Sequence, residues 1–97
     1  MVLPIKKQWY DMILSGEKKE EYRDIKPYYI ARFRNLIASQ GLRTIGTGVE
    51  IEFRNGYSKR SPSFVAKCSV RRGTGNPEWG AEPGREYFIL EIKEILP

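Results

Sequence analysis

Histidine is absent from the 97-residue chain, and cysteine occurs once, as Cys68. Without imidazole there is no Ser-His-Asp triad, no Cys-His dyad, no His-ligated metal and no imidazole pH switch. A lone thiol forms neither an internal disulfide nor a thiolate zinc site, and it suits a reducing compartment. No stretch approaches the ~20 apolar residues of a membrane span. The opening Met1–Lys7 lacks the apolar run of a signal peptide. Internal repeats and low-complexity tracts are also missing. Any catalytic base must therefore be Lys, Asp, Glu, Tyr or a terminus. These absences lead us to expect one domain over residues 1–97, cytoplasmic, with no membrane association.

Gly and Pro divide the chain into short segments. Val2–Ile5 reads as a strand, placed at an edge or at its own start by Pro4. Residues 6–15 set Trp9, Met12 and Ile13 on one helical stripe, and Gly16 follows where a helix C-cap favours a left-handed residue. Residues 27–38 form the clearest helix. Pro27 suits its first position, Tyr29, Ile30, Phe33, Leu36 and Ile37 make one apolar face, and Gly41 ends it. Val49, Ile51 and Phe53 alternate with Glu50, Glu52 and Arg54, a half-buried strand that Asn55-Gly56 turns. Phe64–Arg72 and Glu86–Leu96 read as two more strands, with Phe64, Ala66, Cys68 and Val70, and Phe88, Leu90 and Ile92, on their apolar faces. A Gly/Pro-rich loop, Gly73–Arg85, joins them. Propensity alone makes Glu17–Tyr22 helical, although Gly16 argues against simple continuation. Helices early and antiparallel strands late give an α+β class, or a small curled barrel with helices packed on it.

Charge is uneven along the chain. The net charge is +5, yet residues 76–97 hold two basic and five acidic residues, whereas residues 35–75 hold seven basic and two acidic. Residues 53–77 contain Arg54, Lys59, Arg60, Lys67, Arg71 and Arg72 and no acid. Such a run reads as a surface that tracks phosphates, with a solvated strand face as its plainer alternative.

Residues 16–23, Gly-Glu-Lys-Lys-Glu-Glu-Tyr-Arg, fit the pattern G-x-K-x-x-E-x-R with Gly16, Lys18, Glu21 and Arg23. Upstream stand Leu3-Pro4-Ile5-Lys6, Trp9, and Ile13-Leu14-Ser15-Gly16. Together, over residues 3–23, they resemble the ASCH (activating signal cointegrator homology) domain, a family related in fold to PUA domains. The resemblance implies a small PUA-like β-barrel with flanking α-helices, and it implies that residues 18–23 enter that barrel as a strand. On a strand, Glu21 and Arg23 share a face, whereas Lys18 has the opposite parity and reaches the same cleft only from the turn after Gly16 or across a bulge.

The resemblance also implies binding of RNA or a nucleotide-like ligand in a cleft formed by Lys18, Glu21 and Arg23. Arg23 offers a planar fork for a phosphate or carbonyl edge, and Glu21 accepts from a base amino group. Lys6 and Trp9 flank the motif, Arg54, Lys67 and Arg71 would hold a backbone, and Trp79 would stack a base or plug one barrel end. Tyr57 stands behind Trp79 in the same role. The alternative is a small hydrolase, a ribonuclease or an N4-acetylcytidine-type amidohydrolase. Lys18 would be its general base and Glu21 would stand where the amidohydrolase members carry a nucleophilic Thr; Glu78 and Glu82 are candidates for a third acidic member. No cofactor is implied, and a divalent metal enters only with a ribonuclease. A third reading makes the Lys-Glu-Arg cluster a purely structural tie between helix and barrel. Cys68, on an apolar strand face, reads as a small core residue.

Overall fold

The computed structural model describes residues 1–40 and 48–97. Among these residues, five strands and two helices follow in the order β1 (Val2–Ile5), α1 (Lys7–Leu14), β2 (Glu20–Asp24), α2 (Pro27–Gln40), β3 (Val49–Asn55), β4 (Ser63–Thr74) and β5 (Glu86–Ile95). The strands form one curled sheet ordered β1-β3-β4-β5-β2. β1 runs parallel to β3, and every other pairing is antiparallel. The sheet is a half-barrel: β1 and β2 are its two edges, and no backbone ladder joins them.

Alternation in β3 buries Val49, Ile51 and Phe53, and alternation in β4 buries Ala66 and Cys68. Leu3 and Ile5 of β1, Tyr10 and Ile13 of α1, Phe33 and Leu36 of α2, and Leu90 of β5 complete this main core. The sequence expectation for α1 is rotated by the structure. Tyr10 and Ile13 enter the core, whereas Trp9 and Met12 lie half-buried at its margin. The face expected of α2 is also narrower than its pattern. Phe33 and Leu36 are buried with Tyr29 packed beside them, but Ile30 and Ile37 stay about 42% and 43% exposed. A helix lying on a curled sheet meets it along one line, and residues a quarter-turn away face outward. The expected stop at Gly41 lies outside the described residues.

Two segments depart from local propensity. Residues 20–24 form a strand despite good helix formers, because β2 pairs with β5 from Glu20↔Glu91 to Asp24↔Tyr87. The helical propensity of Glu17–Tyr22 is overridden by that tertiary pairing. Gly16, at φ +83°, turns the chain out of α1 and into it. The Gly73–Arg85 segment is shorter than the sequence suggests, since β4 runs on to Thr74. What remains folds back across the sheet's other face. Asn76 caps a single 3-10 turn at Pro77–Trp79, accepting from the Glu78 N–H at 2.9 Å. Ala81 and Trp79 pack there with Tyr22, Tyr87 and Ile89. β5 is thus covered on both faces, not on one as its alternation implied.

Candidate ligand-binding cleft

Between the two sheet edges lies a cleft of about 470 Å³, a volume typical of small-ligand sites. β1 supplies Pro4 and Ile5, the start of α1 supplies Lys6, Lys7 and Trp9, and β2 supplies Glu21, Tyr22 and Arg23. The β3–β4 hairpin adds Tyr57, and the loop before β5 adds Trp79 and Gly80. Its walls are therefore largely aromatic and its charge comes from one carboxylate and several cations.

Lys18 is the most buried charged residue among those described, about 1% exposed. It does not line the cleft but stands behind it, in the turn before β2. Its Nζ donates to Glu21 Oε1 at 3.1 Å and to the Trp79 carbonyl at 2.9 Å, and it lies 4.0 Å from the centre of the Trp9 ring. One ammonium thereby ties α1, β2 and the β4–β5 loop together. Burial pulls the Lys18 pKa below the usual lysine value, and the Glu21 carboxylate opposes that pull. Gly80 is needed for this packing: at φ +97°, a Cβ there would come within 3.0 Å of the Trp9 ring.

Glu21, about 5% exposed, spends only one oxygen within the protein. Oε1 accepts from Lys18 and from the Tyr22 N–H at 3.0 Å, with Arg23 Nη1 3.6 Å away. Oε2 is buried and has no hydrogen-bond partner among the described residues. A buried carboxylate oxygen without a donor is costly, since it has lost its water and gained nothing in return. Arg23 lies beside it and bridges the sheet edges. Its Nη1 donates to the Tyr22 carbonyl at 2.7 Å and its Nη2 to the Pro4 carbonyl of β1 at 3.0 Å. The guanidinium closes the seam that no backbone ladder closes. Tyr22 turns the other way: its hydroxyl donates to Glu20 Oε1 at 2.7 Å and accepts from the Asn76 N–H at 2.8 Å. Burial raises its pKa far above the usual phenol value.

The acid-free run of residues 53–77 is not acid-free in space. Arg54 pairs with Glu52 at 3.1 Å, and Arg72 with Glu86 at 3.3 Å. Arg71 forks onto Glu20 at 2.7 Å and Glu91 at 3.2 Å, two carboxylates that face each other across β2 and β5 and would otherwise repel. Lys67 sits in register between Glu50 and Glu94. Carboxylates on the same or neighbouring strands answer these strand arginines, so part of the counter-charge that the run lacks in sequence is supplied in space, whereas Lys59 and Arg60 of the hairpin loop have no ion-pair partner among the described residues. None of Arg54, Lys67 and Arg71 lines the cleft. Glu78 and Glu82 are exposed on the loop and do not line it either, and Glu82 lies 3.5 Å from Arg85. Cys68 is fully buried, and burial pushes its thiol up to about 12. Among the described residues no three metal-ligating side chains converge, and no helix is long and apolar enough to cross a membrane.

Of the residues singled out from the sequence, Lys6, Trp9, Glu21, Arg23, Tyr57 and Trp79 meet in the cleft. Sequence reasoning missed Tyr22, Tyr29, Tyr87 and the Pro4 carbonyl. For Tyr22 the signal was its place inside the motif; for the others there was none, because long-range pairing alone brings them there. No family model matches the chain, and no curated protein or solved structure matches it.

Proposed function

We propose that this protein is an ASCH-type module that binds RNA or a nucleotide-like ligand in the cleft between β1 and β2. One observation carries the reading: Glu21 lines a cleft with aromatic walls, beside the Arg23 guanidinium, and its Oε2 is buried with no partner among the described residues. A ligand that brings an N–H donor on a flat, stackable ring relieves that oxygen, and a nucleobase with an amino or imino edge is such a ligand. Trp9 and Trp79 offer ring faces, and Arg23 offers further donors for a carbonyl or phosphate. Lys18 acts as a positioning residue, holding Glu21 and the Trp79 backbone in place. The single buried thiol fits a reducing, cytoplasmic setting.

The hydrolase alternative draws on the depressed pKa of Lys18. It stands second because the ammonium is already engaged by Glu21, the Trp79 carbonyl and the Trp9 face. A panel of short RNAs, mononucleotides and acylated cytidines, with and without divalent metal, separates the readings. Binding without turnover, weakened by Glu21→Gln about tenfold or more, supports the module. Turnover abolished by Lys18→Ala supports the enzyme. If nothing binds and both variants change only stability, the cluster is structural.

A further inference from the structure

The hairpin joining β3 to β4 carries an unusual side chain for its position: Tyr57 is about 90% exposed and yet lines the cleft. An aromatic ring left in water has no packing reason to be there. The tip that presents it is held by several hydrogen bonds. The Gly56 N–H donates to the Ile5 carbonyl at 3.0 Å, pinning the hairpin to the end of β1, and the Asn55 N–H donates to the Pro62 carbonyl at 2.9 Å. The Ser61 N–H closes onto the Ser58 carbonyl at 3.0 Å, and Ser58 Oγ accepts from the Arg60 N–H at 3.1 Å. The ring is thus offered from a folded platform at the cleft rim.

The cations on this hairpin's loop differ from those on the strands. Arg54, Arg71 and Arg72 are each tied to a carboxylate. Lys59 and Arg60, on the same hairpin, and Lys6, at the cleft wall, are exposed and lack an ion-pair partner among the described residues. Free positive charge and an open aromatic face therefore occur together on this hairpin, with Lys6 on the adjoining cleft wall. The cleft itself has room for a small ligand, so a polymer with one unit in it must continue outside it.

We infer that the rim is a second nucleotide subsite, and that the ligand is a single-stranded RNA segment rather than a free nucleotide. This rests on the reading of the cleft as a nucleotide site. One base enters the cleft against Glu21, the next stacks on Tyr57, and the linking phosphates lie on Lys6, Lys59 and Arg60. Duplex RNA is a poorer ligand, because its bases are already stacked and cannot be splayed onto the ring.

Isothermal titration with mononucleotides, trinucleotides of the same base and a short duplex tests this, using wild type, Tyr57→Ala, Tyr57→Trp and the double variant Lys59→Gln/Arg60→Gln. The wild type should bind the best trinucleotide at least tenfold more tightly than its mononucleotide and prefer it to the duplex. Tyr57→Ala should erase that advantage, bringing trinucleotide and mononucleotide affinities together, and Tyr57→Trp should keep it. The two linking phosphates of a trinucleotide give a slope of log affinity against log salt of about −1.4, and the Lys59/Arg60 variant should flatten it. Tyr57→Ala binding the trinucleotide like wild type, with mononucleotide binding intact, overturns the second subsite and leaves the cleft reading standing. Preference for the duplex also overturns it. Absence of any binding overturns both. Tyr57 is so exposed that its substitution does not endanger the fold.

Discussion

Replacing Lys18 with Met tests the ammonium that holds the cleft together. Met keeps most of the apolar stem, so little cavity is left and the change isolates the charge and its hydrogen bonds. Removing one partner from a buried ion pair costs about 3–5 kcal/mol, because the other charge stays behind without compensation. Here the abandoned group is Glu21, still touched by the Tyr22 N–H and with Arg23 3.6 Å away, so the lower end, about 3 kcal/mol, is expected. Glu21→Gln in the same background should recover part of that loss, giving a coupling of at least about 1 kcal/mol in the double-mutant cycle. Urea unfolding of the four proteins reads these values, with similar m-values throughout. The pH dependence supplies a second signature. In the folded state Lys18 loses its proton below 10.5, whereas the unfolded chain keeps it until 10.5. Between those two values the unfolded state binds more protons, so stability rises with pH through that window. Lys18→Met should remove the rising limb. A loss under 1 kcal/mol, or a double variant that simply adds the two single effects, would refute the reasoning.

The remaining predictions use other parts of the site. Above pH 10 stability should fall, because the unfolded chain ionises Tyr22 while the folded protein holds it protonated; Tyr22→Phe should lose that fall, and an unchanged alkaline limb would contradict the assignment. Gly75→Ala places a Cβ about 2.5 Å from the Tyr22 ring and 2.7 Å from Ala81. It should cost about 1–3 kcal/mol in thermal or urea unfolding through overpacking beneath the loop, and a neutral result would mean that the loop is not seated on Tyr22. The Cys68 thiol should resist labelling by a thiol reagent at pH 8 in the native protein and react on unfolding; rapid native labelling would place it outside the core.

The parts of this architecture that were legible in the sequence are those fixed by near neighbours. Alternation showed β3 and β4, Pro4 marked an edge strand, and the G-x-K-x-x-E-x-R spacing drew attention to Lys18, Glu21 and Arg23. What escaped depends on pairing between distant segments. Nothing near Arg71 in the chain announces Glu20 or Glu91, so a compensated strand face looked like an open basic one. Nothing in the Gly/Pro-rich stretch announces that Trp79 and Ala81 fold back over Tyr22, Tyr87 and Ile89, which covers the second face of β5. Ile30 and Ile37 follow the helical pattern but outrun the narrow contact a curled sheet offers. The opposite parity of Lys18 left it to reach the cleft from the turn after Gly16 or across a bulge; it stands in that turn but does not line the cleft. Its place behind the Trp9 ring followed from the loop carbonyl of Trp79, which only the fold brings near.

The chain's two tryptophans, Trp9 and Trp79, both line the cleft. A nitrogen-15 correlation spectrum therefore carries two indole signals, each reporting on the same site. Titration with the nucleotide or trinucleotide that binds best should shift both indoles saturably, with the same affinity as the Glu21 and Arg23 backbone amides, and Glu21→Gln should weaken all of them together. Saturable shifts confined to the outer face of β4, around Lys67 and Arg71, with both indoles unmoved, would contradict the account.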